Sequence, residues 1–156
     1  MREAQVDEMA ARPATERKSA TFWLGALALL GAWSALPPYV GPPLGLKLDI
    51  ATRLEVADHV VPAVIIVASA TIAALALRGG RRMTESVLVL GAIGVCVLAG
   101  IWETATHVPL LLQGGGSNAR WGAVLLHSTA GPAVLALSLP LLMRAAGPDI
   151  GRREGA

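Results

Sequence analysis

Residues 60–78, VVPAVIIVASATIAALALR, and residues 86–107, SVLVLGAIGVCVLAGIWETATH, decide the fold. Each is an apolar run of roughly the 20 residues that a helix needs to cross ~30 Å of hydrocarbon. The first carries no charge before its closing Arg78, and the second carries only Glu103, near its far end. Between them stands GGRRMTE (79–85), a short basic turn. A turn this short predicts two antiparallel membrane helices, about 60–77 and 86–107, with Leu112 as the farthest end of the second.

Working outward toward the N-terminus, residues 44–58 carry Leu46, Ile50, Leu54 and Ala57 at helical spacing among Lys47, Asp49, Arg53 and Glu55. That amphipathic stretch is expected to lie along the surface or to begin the second helix above it. Pro62 is read as falling in a first turn, whose amides have no helical partner. A further apolar run, about 21–40, opens on the interfacial aromatics Phe22 and Trp23 and ends in Pro37-Pro38-Tyr39-Val40-Gly41-Pro42-Pro43. No helix continues through such a run, because proline lacks the amide donor and clashes with the preceding turn. Ala32-Trp33-Ser34 loosely fits a signal-cleavage site, but the long acid-containing stretch before the apolar run argues for a retained helix. Residues 1–19 are polar and mixed in charge and read as a mobile or surface-lying tail.

Toward the C-terminus, Gly114-Gly115-Gly116-Ser117-Asn118 reads as a loop, without the lysine or strand–helix context of a phosphate-binding motif. A fourth run, about 121–143, follows it, with Pro132 and Pro140 as expected kinks. Trp102 and Trp121 read as interfacial anchors. The prediction is an all-α integral membrane protein, an up-down-up-down bundle of four transmembrane helices over residues 20–144. Polar tails flank it at 1–19 and 145–156.

Composition agrees. The chain is 54% hydrophobic and only 15% charged, where a soluble domain carries about 25% charged residues. No Lys/Arg-rich run with interleaved aromatics points to nucleic acid. The single cysteine, Cys96, excludes an internal disulfide and a cysteine-based zinc site and reads as a small packing residue. Ten of the 13 Lys and Arg residues fall before the first run, between the second and third, or after the fourth. The positive-inside bias therefore places both termini in the cytoplasm, in a plasma (inner) membrane.

Four ionisable residues fall in or beside the apolar runs: His59, Glu103, His107 and His127. Such residues are costly in lipid and by default mark a site or a pairing. Counted from the basic residues at the cytoplasmic ends, His59 and Glu103 both lie at about 28 Å, His127 at about 25 Å and His107 at about 34 Å. Three helices thus bring an imidazole or carboxylate to one level near the outer face. Glu103 and His107 are spaced i, i+4 and share one helix side. Cys96 and Gly100 extend that stripe and admit a close neighbour. On the fourth helix Arg120, His127, Gly131 and Ser138 share a face.

Three imidazoles and a carboxylate suit Zn²⁺, Fe²⁺ or Cu²⁺. His59, His107 and His127 would be ligands, and Glu103 a fourth ligand or the group that orients one imidazole. Haem b is a second option, with two histidines as axial ligands and Arg53 or Arg120 near its propionates. A quinone head group or a proton relay would use the same residues without a metal. An accessory or assembly subunit, whose polar cluster pins helices together beside other membrane subunits, is the reading without chemistry. The di-iron pattern of Glu-x-x-His on two helices is missing.

Overall fold

The structure, a computed structural model, describes residues 2–40, 53–83, 86–113, 125 and 128–147. It contains α1 (Arg2–Ser34), a single turn α2 (Pro37–Val40), α3 (Arg53–Arg78), α4 (Val87–Gln113) and α5 (Ala130–Ala146). The long helices pack in a closed circuit: α1 on α3, α3 on α4, α4 on α5, and α5 back on α1. This is an all-helical four-helix arrangement, as the apolar runs predict.

Two of the helices, over Ala57–Arg78 and Val87–His107, are long and apolar enough to cross a membrane. The apolar part of α5, Ala130–Ala146, is shorter. That of α1 is bounded by Arg17 and Lys18 before it and by the prolines after Ser34.

Several boundaries differ from expectation. The N-terminal stretch read as a tail is helical from Arg2 and continuous with the first apolar run. Its Ala, Glu, Gln, Arg and Met residues are strong helix formers, and a preformed apolar helix spares them the cost of nucleation. Helix α3 begins at Arg53 and takes in the end of the amphipathic stretch, in line with the reading that this stretch begins the second helix, and Pro62 consequently lies inside the helix rather than in its first turn. The amide that would have bonded the Asp58 carbonyl is thereby missing, one turn beside His59. Pro132 falls in the first turn of α5, where it removes no essential bond, while Pro140 is interior. The fourth run is helical at Leu125 and Ser128 and regular from Ala130. Its beginning, the glycine loop and Trp121 lie outside the described residues.

The bundle is apolar on the outside and carries polar groups within. Phe22, Leu29, Val64, Leu75, Val87, Leu98, Trp102 and Met143 are exposed on the long helices, while Ser34, Ser69, Ser128, Ser138, His59, Glu103 and His107 are buried. One apolar core, around Leu24, Leu77, Val89, Ile93 and Leu141, fills the end where α3 meets α4. A second, around Leu27, Ile66, Cys96 and Val134, lies above it. Cys96 is buried there, its thiol directed at the Ile66 carbonyl, as a packing residue should be.

Helices α4 and α5 approach closely. A β-carbon placed on Gly131 would stand 2.5 Å from the Thr104 amide nitrogen and 2.8 Å from the Glu103 carbonyl carbon. Only glycine allows the two backbones to touch at this level. At the other end α3 closes in a left-handed turn, with Gly80 at φ +88°. The Arg81 amide donates to the Ala76 carbonyl and the Gly80 amide to Leu77, the paired bonds that satisfy orphan carbonyls at a helix end.

Candidate functional site

The polar residues gather above the second core, where α1, α3, α4 and α5 meet. The arrangement starts with the two prolines. In a helix the Ser34 carbonyl would accept from the amide of residue 38, but residues 37 and 38 are prolines and have none. His59 supplies the missing donor: its Nδ1 lies 3.2 Å from the Ser34 carbonyl oxygen. The Ser34 hydroxyl donates to the Gly31 carbonyl at 2.8 Å.

His107 is fixed in a parallel way by its own helix. Its Nδ1 lies 2.8 Å from the Glu103 carbonyl oxygen, one turn earlier. The Thr106 hydroxyl, 2.8 Å from the same nitrogen, faces the Trp102 and Glu103 carbonyls. It therefore donates to a carbonyl and accepts from the ring.

A carbonyl oxygen only accepts, so in both histidines Nδ1 carries the hydrogen; the tautomers follow from this network. In the neutral rings each Nε2 then presents a lone pair. The two Nε2 atoms lie 3.2 Å apart, with ring centroids separated by 4.6 Å and planes inclined at 53°. His59 is 4% exposed and His107 6%, so bulk water does not screen the meeting. Two converging lone pairs repel unless a proton or a metal ion sits between them.

Glu103 is 2% exposed, and neither carboxyl oxygen closes a hydrogen bond among the described residues. The Ser34 side chain is the polar neighbour that acts on it. The Ser128 hydroxyl, on the chain leading into α5, is also buried without a hydrogen-bond partner there. A buried carboxyl whose oxygens close no hydrogen bond among the described residues is costly in either protonation state unless a cation, proton or water compensates.

The structure thus brings together His59 and His107, two of the residues singled out from sequence, with Glu103 on the same helix face. Among the described residues no three His, Cys, Asp or Glu side chains converge closely enough to hold a metal ion. His127 and Arg120 lie outside the described residues, and so does the Arg53 side chain. Sequence reasoning missed Ser34 and Ser128. The signal for Ser34 was present in Pro37-Pro38, which orphans its carbonyl. No family model, curated protein or solved structure matches the chain.

Proposed function

We propose that this chain is a small multi-pass membrane protein of the inner membrane, with four spanning helices and both termini in the cytoplasm. In this reading it holds a transition-metal ion between His59 and His107 near its outer face. One observation carries the site: two buried imidazoles whose Nδ1–H groups are committed to backbone carbonyls and whose Nε2 atoms face each other at 3.2 Å. Two nitrogens bound to one tetrahedral ion at about 2.0–2.1 Å stand about 3.3 Å apart. Donation of the second ring nitrogen to a carbonyl is the usual way a metal-binding imidazole is oriented. His127 is the further nitrogen ligand that the sequence offers, and Glu103 supplies the balancing negative charge. Zn²⁺, Fe²⁺ and Cu²⁺ all suit imidazole, and the last two give the site a redox role.

Haem b held between His59 and His107 fits less well. Axial nitrogens on one iron stand about 4 Å apart with the porphyrin between them, farther than these two. A haem reading would need His127 as one ligand. The second reading is a shared proton between the imidazoles, with Glu103 as its exchange partner, in a proton or quinone site without metal. The buried Glu103 carboxyl, which closes no hydrogen bond among the described residues, favours it.

Elemental analysis and an optical spectrum of protein purified in detergent without chelators test these readings. Near-stoichiometric metal that is lost in His59→Ala and His107→Ala is expected. Metal-free wild-type protein that also fails to take up Zn²⁺, Cu²⁺ or Fe²⁺ on titration would leave the proton site or the accessory-subunit role.

A further inference from the structure

At the end of the bundle away from the histidines, an open cavity of about 1000 Å³ lies between α1, the α3–α4 turn and the end of α5. Arg17, Arg82 and Arg144 line it from these three elements, together with Glu16, Ser19 and Leu77. Among the described lining residues three guanidinium groups stand beside one carboxylate. The sequence separates these arginines widely, and the fold gathers them. The Gly80 turn reverses the chain so that Arg82 returns to the bundle, and Arg144 stands in the last turn of α5.

The surroundings select among anions. Leu77 forms part of the apolar core beneath the cavity, and the flanking surface is apolar and exposed: Phe22 is 68% accessible and Met143, next to Arg144, is 73%. A ligand with an anionic head and hydrocarbon chains meets both requirements at once. Guanidinium groups bind phosphate oxygens through paired hydrogen bonds, and basic pockets between membrane helices take phospholipid head groups. We infer that this cavity binds a phosphate-bearing anion, the head group of an anionic phospholipid whose chains lie along the apolar flank.

Because Cys96 is buried, its labelling by a thiol-reactive fluorophore, expected on unfolding, reports the transition. Thermal unfolding is followed in mixed micelles containing phosphatidylglycerol, phosphatidylcholine or no lipid, and in micelles with inorganic phosphate alone. Phosphatidylglycerol should raise the midpoint by several degrees over phosphatidylcholine. Arg82→Gln and Arg144→Gln should abolish that shift, and Arg78→Gln, outside the lining, should keep it. For wild type the shift should shrink at high salt, because exposed charges are screened beyond ~3 Å at about 1 M; this arm stands even if the glutamine variants do not fold. An equal shift with inorganic phosphate alone would replace the lipid by a soluble phosphate as the ligand. Equal midpoints in both lipids, or a shift insensitive to salt and unaltered in foldable Arg82→Gln and Arg144→Gln, would overturn the site.

Discussion

The two ends of this bundle handle polarity in opposite ways. At one end His59, Glu103 and His107 are buried on helix interiors, and their neighbours are set by backbone geometry. At the other, Arg17, Arg82 and Arg144 reach an open cavity on long flexible stems. A buried polar group away from water costs several kcal/mol unless partnered, whereas an arginine at a helix end keeps its head hydrated while its stem covers apolar surface. The histidine end must therefore be built by close backbone approach, and the arginine end tolerates looser packing. The contrast teaches where substitutions matter: positions of equal size and exposure should differ sharply in cost according to which end they serve.

The largest effect is expected at Gly131. Its missing β-carbon would meet main-chain atoms of Glu103 and Thr104, which cannot rotate aside as a side chain can. Gly131→Ala should cost about 1–3 kcal/mol or more through overpacking, seen as a lower unfolding midpoint. Gly91→Ala, with nothing within 4 Å of the added carbon, should be neutral or stabilising by about 0.5–1 kcal/mol. Equal effects at the two glycines would break the claim that α4 and α5 meet backbone to backbone beside the site.

Next comes Glu103. Replacing this buried carboxyl by an apolar residue of similar volume, Glu103→Met, should stabilise the metal-free protein by about 1–3 kcal/mol, the usual penalty of a buried polar group with unmet hydrogen bonds. The same change should weaken metal uptake at His59 and His107 about 10–100-fold, the usual cost of losing a supporting group around a metal. A titration followed by calorimetry reads the second effect, and denaturation in the presence of a chelator reads the first. Weaker binding without a gain in apoprotein stability would mean that Glu103 has a partner in the folded protein.

A smaller effect is expected at Thr106, whose hydroxyl faces the His107 ring and two carbonyls. Thr106→Val keeps the shape, and the Glu103 carbonyl still holds Nδ1. The cost should be about 0.5–1.5 kcal/mol, that of one ordinary hydrogen bond, with metal stoichiometry unchanged. Loss of the metal in this variant would make Thr106, and not the carbonyl, the group that orients His107.

The smallest effect concerns Cys96. Buried in apolar surroundings between α3 and α4, its thiol should be inert to maleimide in folded protein and react fully in denaturant. Rapid labelling of the folded protein, detected as a mass increase, would show that the second core opens readily.

Much of this was legible in the chain itself. Apolar runs near 60–77 and 86–107 dictate long helices because lipid or a protein core admits only backbones that satisfy their own hydrogen bonds. The i, i+4 spacing put Glu103 and His107 on one side of α4, and depth counting brought His59 to their level. The small residues Cys96 and Gly100 foretold a close neighbour along that stripe, and Gly100 does abut Val134 of α5. The helical N-terminal stretch was not legible, because mixed-charge sequences of good helix formers are marginal alone and gain order from what they extend.

By itself, then, the sequence determined which segments are helical cores, which residues are polar among them, and that Pro37 and Pro38 must leave a carbonyl without an amide. Only the tertiary structure decided that His59 fills that vacancy, that both imidazoles turn Nε2 toward each other, and that the Glu103 carboxyl stands apart from a three-donor group. It also decided that arginines far apart in the chain line one cavity. The physical reason is range. Periodicity and covalent chemistry act within a turn or two of helix, whereas the rotation of one helix about its axis against another is fixed by contacts such as Gly131 on Thr104, which no local pattern encodes.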